Sequence, residues 1–230
     1  LWQWLESQDL VEKNIIRLVE RPKPEKRDII PLEKEEIKAI FKSLPKSKSY
    51  ARPGQKSCQN TLPNIDRNRA MLLFLLDNGL RCSELSNLKY GDLNTRMQTA
   101  CILGKGNKQR HVPYSARTAQ AVWKYLTVTR GDLGPEDYLF VTRDGKKMER
   151  TVILQTVKDI GYRANVPDIN VHRFRHTFAI MYLRAGGDAF TLKEILGHST
   201  MDMVNRYVRI AEVDIIAAHR RASPVEFLNL

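Results

Sequence analysis

The segment from Ile65 to Asp77 restricts the fold of this chain more than any other part of it. It contains the longest apolar run, residues 70–76, and is followed by Asn78-Gly79, a pair that commonly ends helices. The run suits a helix that contributes to a core, but it is far shorter than the roughly 20 apolar residues that span a bilayer. We therefore predict a helix over 65–77 in a soluble, globular protein without a membrane segment.

Residues 97–113 have a different pattern from the rest of the chain. Two short segments of strand-forming residues flank the turn Gly104-Lys105-Gly106-Asn107, an arrangement typical of a β-hairpin. Elsewhere the spacing of apolar residues is helical, and in the helix from Val171 it places Phe174, Phe178 and Met181 on one face with Val171. We predict further helices after Pro31, from Cys82, and at 115–129, 149–164, 171–186, 189–196 and 200–218. The predicted fold class is mainly α with a small antiparallel β-sheet, an α+β arrangement.

Proline and charge divide the chain into segments. Residues 1–20 have a helical pattern that starts abruptly, so we interpret them as the end of a preceding domain. Residues 21–31 combine proline with charge and predict an exposed linker. The main domain is then expected over 32–222, with an irregular surface loop at 45–64. A C-terminal tail follows at 223–230.

The balance of charge indicates a polyanionic partner. The 230 residues have a formal net charge of +12, which fits nucleic acid, although a generally basic surface is an equally open interpretation. The three cysteines, Cys58, Cys82 and Cys101, lack the spacing of a zinc site or a disulfide framework. A reducing, cytoplasmic location is therefore expected.

Six side chains in the last two thirds of the sequence have the chemistry of a phosphoryl-transfer site: Arg81, Lys105, His172, Arg175, His198 and Tyr207. The arginines have permanent charge and a fork of donors that matches two non-bridging phosphate oxygens. Histidines move protons near neutral pH, a lysine can protonate a leaving alkoxide, and a phenolate can attack phosphorus. The set contains no cluster of metal ligands.

The local setting of several of these residues fits such chemistry. Arg81 lies at a predicted helix start, where exposed N–H groups favour anions. His172 and Arg175 are three positions apart and project from the same side of a helix. Lys105 lies between glycines in the hairpin turn, where Lys108 competes for the same role.

Each of these side chains also has an ordinary structural interpretation. An arginine can form a surface ion pair, a lysine can be a solvated turn residue, and a tyrosine can pack a C-terminal helix. For His176 and His111 we prefer the role of a satisfied polar residue at a helix end, and His219 lies in a charged, solvated tail. Tyr182 is expected to pack against the core. For Glu84, support of the neighbouring arginine and a plain surface role are both open.

In order and spacing, these residues resemble the tyrosine recombinase family, also called phage integrases. The resemblance covers about residues 30–220. The stretches that carry it are Asn78-Gly79-Leu80-Arg81-Cys82-Ser83-Glu84-Leu85, Gly104-Lys105-Gly106-Asn107-Lys108-Gln109-Arg110, His172-Arg173-Phe174-Arg175-His176-Thr177-Phe178-Ala179, and Leu196-Gly197-His198-Ser199 with Tyr207.

The resemblance implies a covalent mechanism. Tyr207 would attack the scissile phosphate and leave a 3′-phosphotyrosine and a free 5′-hydroxyl. Lys105 would be the general acid for the 5′ oxygen, and His172 would assist proton transfer at the nucleophile.

The same resemblance implies the phosphate ligands and the partners. Arg81 and Arg175 would clamp the phosphate, and His198 would bond a non-bridging oxygen. Members of the family need neither a metal nor a cofactor and act as homo-tetramers on paired sites in double-stranded DNA. Residues 1–20 would be the last helix of a core-binding domain, and the C-terminal tail would dock on a neighbouring subunit.

Three other functions compete with a recombinase. A type IB topoisomerase would share the chemistry but relax supercoils without paired sites. A non-catalytic DNA-binding relic of an integrase would keep the fold without the reaction. A metal-dependent nuclease would need clustered carboxylates, whereas the acidic residues here are dispersed.

Overall fold

The computed structural model describes residues 2–13, 15–19, 29–45, 62–104, 108–211, 219, 223 and 225. Its α-helices are α1 (Trp2–Ser7), α2 (Lys34–Ser43), α3 (Ile65–Asn78), α4 (Cys82–Asn87), α5 (Ala116–Tyr125), α6 (Arg150–Ala164), α7 (Val171–Arg184), α8 (Ala189–Leu196) and α9 (Asp202–Ala211). The strands are β1 (Leu93–Asn94), β2 (Thr99–Leu103) and β3 (Gln109–Pro113). The predicted fold class, mainly helical with a small antiparallel sheet, is confirmed.

Helix α3 is the buried centre of the domain. Leu72, Phe74 and Leu75 are fully buried, and the helix packs against both α5 and α7. It ends as the sequence predicts: Gly79 has φ 60 and ψ 36, and its N–H donates to the carbonyl of Leu75. The residue just after α3 lies beside α7, since a Cβ placed on Gly79 would lie 2.8 Å from Cδ1 of Phe178.

The sheet has the order β1-β2-β3, with both pairs antiparallel. Ala100 pairs with Val112, and Ile102 pairs with Arg110. Alternation places Ala100, Ile102 and Val112 in the core. The predicted hairpin strands are confirmed, and residues 105–107 of the turn lie outside the described residues.

The first 20 residues do not form the continuous helix that their pattern predicts. Helix α1 ends at Ser7, the chain turns at Asp9 with φ 52, and a 3₁₀ helix covers Ile15–Leu18. A left-handed residue cannot continue a right-handed helix, which explains the break. Most of the linker at 21–31 and of the loop at 45–64 lies outside the described residues, so the division into domains stays a prediction.

The later helices follow their predicted ranges with small differences. The helix predicted over 115–129 becomes α5, whose last turn widens into a π-helical segment at Leu126–Arg130. In α7 the predicted apolar face is only partly right, because Met181 is 46% exposed. Ile180 and Leu183, on either side of it in the sequence, stay buried, so Met181 lies on the exposed side of α7. For the helix predicted over 200–218, the described part is α9, and residues 212–218 lie outside it.

In the described part of the chain, no helix has both the length and the apolar character required to cross a membrane.

We expect Gly79→Ala to destabilise the domain more than Gly145→Ala. Both glycines have positive φ, 60 and 74, so each substitution introduces roughly 1–2 kcal/mol of backbone strain. A Cβ at Gly79 would also lie 2.8 Å from Cδ1 of Phe178, whereas nothing lies within 4 Å at Gly145. Overpacking adds about 1–3 kcal/mol, so urea unfolding should give a clearly lower free energy of unfolding for Gly79→Ala. Equal losses would contradict the packing we describe.

Candidate active site

Arg175, in α7, is a buried cation held by the ends of two other helices. Its side chain is 4% exposed, and its Nη1 donates to the carbonyl of Gly79 at 2.7 Å. Its Nη2 donates to the carbonyl of Leu196 at 2.7 Å. These carbonyls follow α3 and end α8, where the helix dipole is negative and favours a cation. Burial, and then the charge of Arg81, lower the pKa of Arg175 to about 10, so it stays charged at neutral pH.

His198 lies directly against Arg175. Its Nε2 is 2.8 Å from Nη2 of Arg175 and must accept that hydrogen bond, because a guanidinium only donates. The neutral ring therefore has its proton on Nδ1, a buried atom without a partner in the described part of the chain. Burial and the charges of Arg175 and Arg81 lower the pKa of His198 to about 4. His198 is thus a neutral donor beside a buried cation.

Arg81 is held by a buried carboxylate at the start of α4. Its backbone N–H donates to Oε2 of Glu84 and its Nη1 to Oε1, both at 2.8 Å. Its Nη2 donates to the carbonyl of Gly197 at 3.1 Å, immediately before His198. The side chain of Glu84 is 4% exposed, so the surface role left open for it is wrong and the supporting role is confirmed. Arg81 itself stays partly exposed and available to an anion.

Tyr207, in α9, has its hydroxyl in the interior. The residue is 1% exposed, and its ring stacks on His198 with centroids 6.4 Å apart and planes 18° apart. Its Oη lies 2.8 Å from Nδ1 of His176. Burial raises the pKa of Tyr207, although the nearby charges of Arg175 and Arg206 act in the opposite direction. The phenol is therefore protonated at neutral pH.

His176 is the site residue that the sequence interpretation missed. It lies inside α7 rather than at a helix end, and it contacts Tyr207, whereas His172 is exposed one turn earlier. Burial, followed by the charge of His172, lowers the pKa of His176 to about 4. The two histidines are four positions apart and share one side of the helix, so the sequence alone offers either as the partner of Tyr207. The structure places His172 near the cluster but gives the contact to His176.

The other candidates have simpler positions. Lys105 lies outside the described residues. His111 is exposed on β3, and Tyr182 packs against Phe178 and the core, as expected. Within the described ranges, no three His, Cys, Asp or Glu side chains come together as a metal-binding group.

A cleft of about 590 Å³ opens above the cluster. Its walls include Arg81, Lys108, Arg110, Lys193 and His198. Four of these five side chains carry positive charge, against one carboxylate in the lining, Glu194, so the cleft favours an anion. Tyr207 does not line this cleft, and its hydroxyl contacts His176 in the interior instead.

The fold and the cluster define a mainly helical domain in which two arginines, a histidine and a tyrosine converge from four segments of the chain. Residues 55–213 match the model of the phage integrase family. The chain belongs to this family.

Named relatives agree with this assignment. Tyrosine recombinase XerC from Staphylococcus carnosus is 30% identical over 96% of this chain and 70% of its own length. XerC from Haemophilus influenzae (strain PittEE) is 32% identical over 80% of this chain and 63% of its own length. The chain thus spans about two thirds of the length of these relatives.

Solved structures share the fold. The crystal structure of XerA recombinase has a TM-score of 0.65 at 23% identity and covers 89% of this chain, which in turn covers 67% of it. XerH recombinase, bound to its palindromic difH substrate, has a TM-score of 0.62 at 22% identity, with 87% of this chain and 54% of that chain covered.

We expect the stability of the domain to fall as the pH is lowered from about 6.5 to 4. In that range an unfolded histidine takes up a proton, whereas His176 and His198, with pKa values of about 4, do not. Above the unfolded pKa both states are neutral, so the two histidines add no pH dependence there. Urea unfolding midpoints measured against pH should show a shallower acid slope for His176→Asn. The exposed His111→Asn is the matched control, and an equal slope in both variants would contradict the burial of His176.

Proposed function

We propose that this chain is the catalytic part of a site-specific DNA recombinase that cleaves and rejoins strands through a 3′-phosphotyrosine intermediate. The observation that carries the proposal is the convergence of Arg81, Arg175, His198 and Tyr207 beside a positively charged cleft. The chain's membership in the phage integrase family and its similarity to tyrosine recombinases support the same reaction class.

In the proposed reaction, Arg81, Arg175 and His198 hold the scissile phosphate. Attack on phosphorus concentrates negative charge on the non-bridging oxygens, and donors already fixed in place stabilise that charge without further reorganisation. Arg175 is fixed by two helix ends and Arg81 by a buried carboxylate, which supports such a preorganised role. One donor of this kind is typically worth ~10²–10³ in rate.

In the proposed cleavage step, a phosphodiester bond to the 5′ oxygen of DNA is exchanged for one to the tyrosine oxygen. Oη of Tyr207 bonds to phosphorus, the bond from phosphorus to the 5′ oxygen breaks, and the leaving oxygen takes up a proton. We assign that proton to Lys105, and the proton lost by the phenol to a histidine of α7. His172 is the family-like candidate, and His176 is supported by its 2.8 Å contact with the phenol. Attack of a 5′-hydroxyl on the phosphotyrosine reverses the step and rejoins a strand.

The buried position of Tyr207 requires a movement before this attack. Its hydroxyl lies in the interior and is bound to His176, and its raised pKa disfavours the phenolate. We propose that binding of DNA shifts α9 so that the hydroxyl reaches the cleft. The arginines would then lower the pKa of the phenol, because their charge favours the anion.

The proposed partner is double-stranded DNA, with four copies of the chain on paired sites. A net charge of +12 and the basic cleft support an electrostatic contact with phosphates. XerH, whose fold this chain shares, is bound to its palindromic difH substrate in its solved structure. We further propose that the tail at 223–230 docks on a neighbouring copy. A cytoplasmic location stays a prediction.

Two alternatives make different predictions. A type IB topoisomerase would relax plasmid that lacks any target site, whereas both named relatives of this chain are tyrosine recombinases. A binding relic would be indifferent to the loss of the tyrosine hydroxyl, but the intact set of reactive side chains disfavours it. A relaxation assay on target-free plasmid separates the first alternative from our proposal.

We expect Tyr207→Phe to abolish covalent trapping on DNA. The protein would be incubated, without metal and with a chelator, with nicked suicide duplexes that cover candidate ends of its parent element, and analysed on denaturing gels. Wild type should form a protein–DNA adduct, and Tyr207→Phe should form none because it lacks the nucleophilic oxygen. Tyr182→Phe, which removes a hydroxyl from a core-packing tyrosine, is the matched control and should retain the adduct. An adduct that persists in Tyr207→Phe would assign the nucleophile elsewhere.

Deletion of 223–230 should reduce assembly of several subunits on paired DNA sites while leaving cleavage by a bound subunit. The tail carries apolar residues after a basic patch, and Val225 is 56% exposed, which suits a contact with another copy. Gel-shift and sedimentation measurements on DNA would show fewer higher-order complexes. Unchanged assembly would remove the docking proposal.

A further inference from the structure

We propose that Arg110, in strand β3, is a positioning residue that keeps Arg81 and His198 directed at one phosphate. This inference rests on the proposed function and adds a residue to it. Arg110 does not need to touch the substrate for this role, since it would act through Glu84 and through the backbone beside His198.

The guanidinium of Arg110 joins three separate elements. Its Nη1 donates to Oε1 of Glu84 at 2.9 Å and its Nη2 to Oε2 at 2.8 Å, a two-pronged pair with α4. Its Nε donates to the carbonyl of Ile195 at 2.8 Å, near the end of α8. The hairpin is thereby tied to the helix that presents Arg81 and to the helix that precedes His198.

Close packing around this guanidinium leaves it little freedom. A Cβ placed on Gly197 would lie 3.1 Å from Cζ of Arg110, and Gly197 has φ 62. On the hairpin, a Cβ on Gly104 would lie 3.5 Å from Nη1 of Arg110. The guanidinium thus lies against the backbone of two glycines, Gly104 and Gly197. A flat, forked group fits this narrow space and pairs with both oxygens of the Glu84 carboxylate at the same time.

The carboxylate of Glu84 is shared by Arg110 and Arg81. Each oxygen receives one hydrogen bond from each arginine residue. Burial alone would raise the pKa of Glu84, but hydrogen bonds from Arg110 and from the N–H of Arg81 outweigh it and lower the pKa. Without Arg110, the buried charge would have Arg81 as its remaining cation, and Arg81 would be drawn away from the cleft.

Loss of Arg110 should therefore reduce the part of the cleavage rate that depends on stabilising the negative charge of the scissile phosphate. A lysine keeps the charge but offers one compact ammonium, which cannot meet both carboxylate oxygens and the Ile195 carbonyl together. Displacement of catalytic groups by about 1 Å costs up to ~10²-fold in rate. We expect a loss of that size for Arg110→Lys, and no loss for Arg117→Lys, an exposed arginine at the start of α5.

The test compares two suicide duplexes in single-turnover trapping with protein in excess. One has a normal scissile phosphate, and the other has a methylphosphonate there, which carries no negative charge. Arg110→Lys should slow adduct formation about 10²-fold relative to wild type on the phosphate. On the methylphosphonate the ratio should be much smaller, and Arg81→Lys should show the same pattern. An equal loss on both duplexes, or no loss on either, would overturn the positioning role, because a merely structural defect ignores the charge of the phosphate.

Hydrogen exchange gives a readout that does not depend on activity. In Arg110→Lys, amides of the 195–200 segment and of α4 should exchange faster than in wild type, with α5, which packs against α3, unchanged as the internal reference. Failure of wild type to form an adduct with either duplex would count against the proposed function. The hydrogen-exchange data would then still test whether Arg110 holds α4 and the 195–200 segment in place. Unchanged exchange at 195–200 would overturn it.

Discussion

The charge of the Arg175 guanidinium has to be accommodated inside the protein, and the arrangement of the site depends on how this is done. A buried cation is costly unless its donors are satisfied. Here the partners are the carbonyls of Gly79 and Leu196 and the ring of His198. These three acceptors belong to the end of α3, the end of α8 and the segment after it, so the burial of one side chain fixes where three segments of the chain meet.

A second charged group extends this arrangement to the hairpin and α4. Glu84 is buried and receives hydrogen bonds from two arginines, one of which belongs to the sheet. Breaking a buried ion pair by removal of one partner typically costs about 3–5 kcal/mol, because a charge is left uncompensated. The buried Arg175 and the Glu84–arginine cluster are connected through the segment around Gly197, since Arg81 donates to the carbonyl of Gly197 and Arg175 to that of Leu196. The geometry of the cleft is therefore determined by electrostatics as well as by apolar packing.

Much of this domain can be predicted from local sequence signals. The run at 70–76 with Asn78-Gly79, and the glycine-rich turn between two strand-forming segments, indicate α3 and the hairpin because backbone preference and periodicity act locally. Met181 shows the limit, since helical spacing groups residues on one side of a helix but does not say how much of that side other elements cover. The choice between His172 and His176 depends on how α9 packs against α7, a long-range contact that has no local signal. The role of Glu84 was open for the same reason, because burial is a property of the whole fold.

The concealed hydroxyl of Tyr207 has a consequence for genome integrity under the proposed function. A protein that binds DNA through its charge meets far more unrelated sequence than target. If exposing the tyrosine costs about 3 kcal/mol in the free chain, fewer than ~1% of molecules are competent to nick at any moment. Contacts made only at a correct, fully occupied site would supply that energy. Discrimination between target and unrelated DNA would then depend partly on the equilibrium between buried and exposed Tyr207. The protein could bind unrelated DNA tightly and still rarely cleave it.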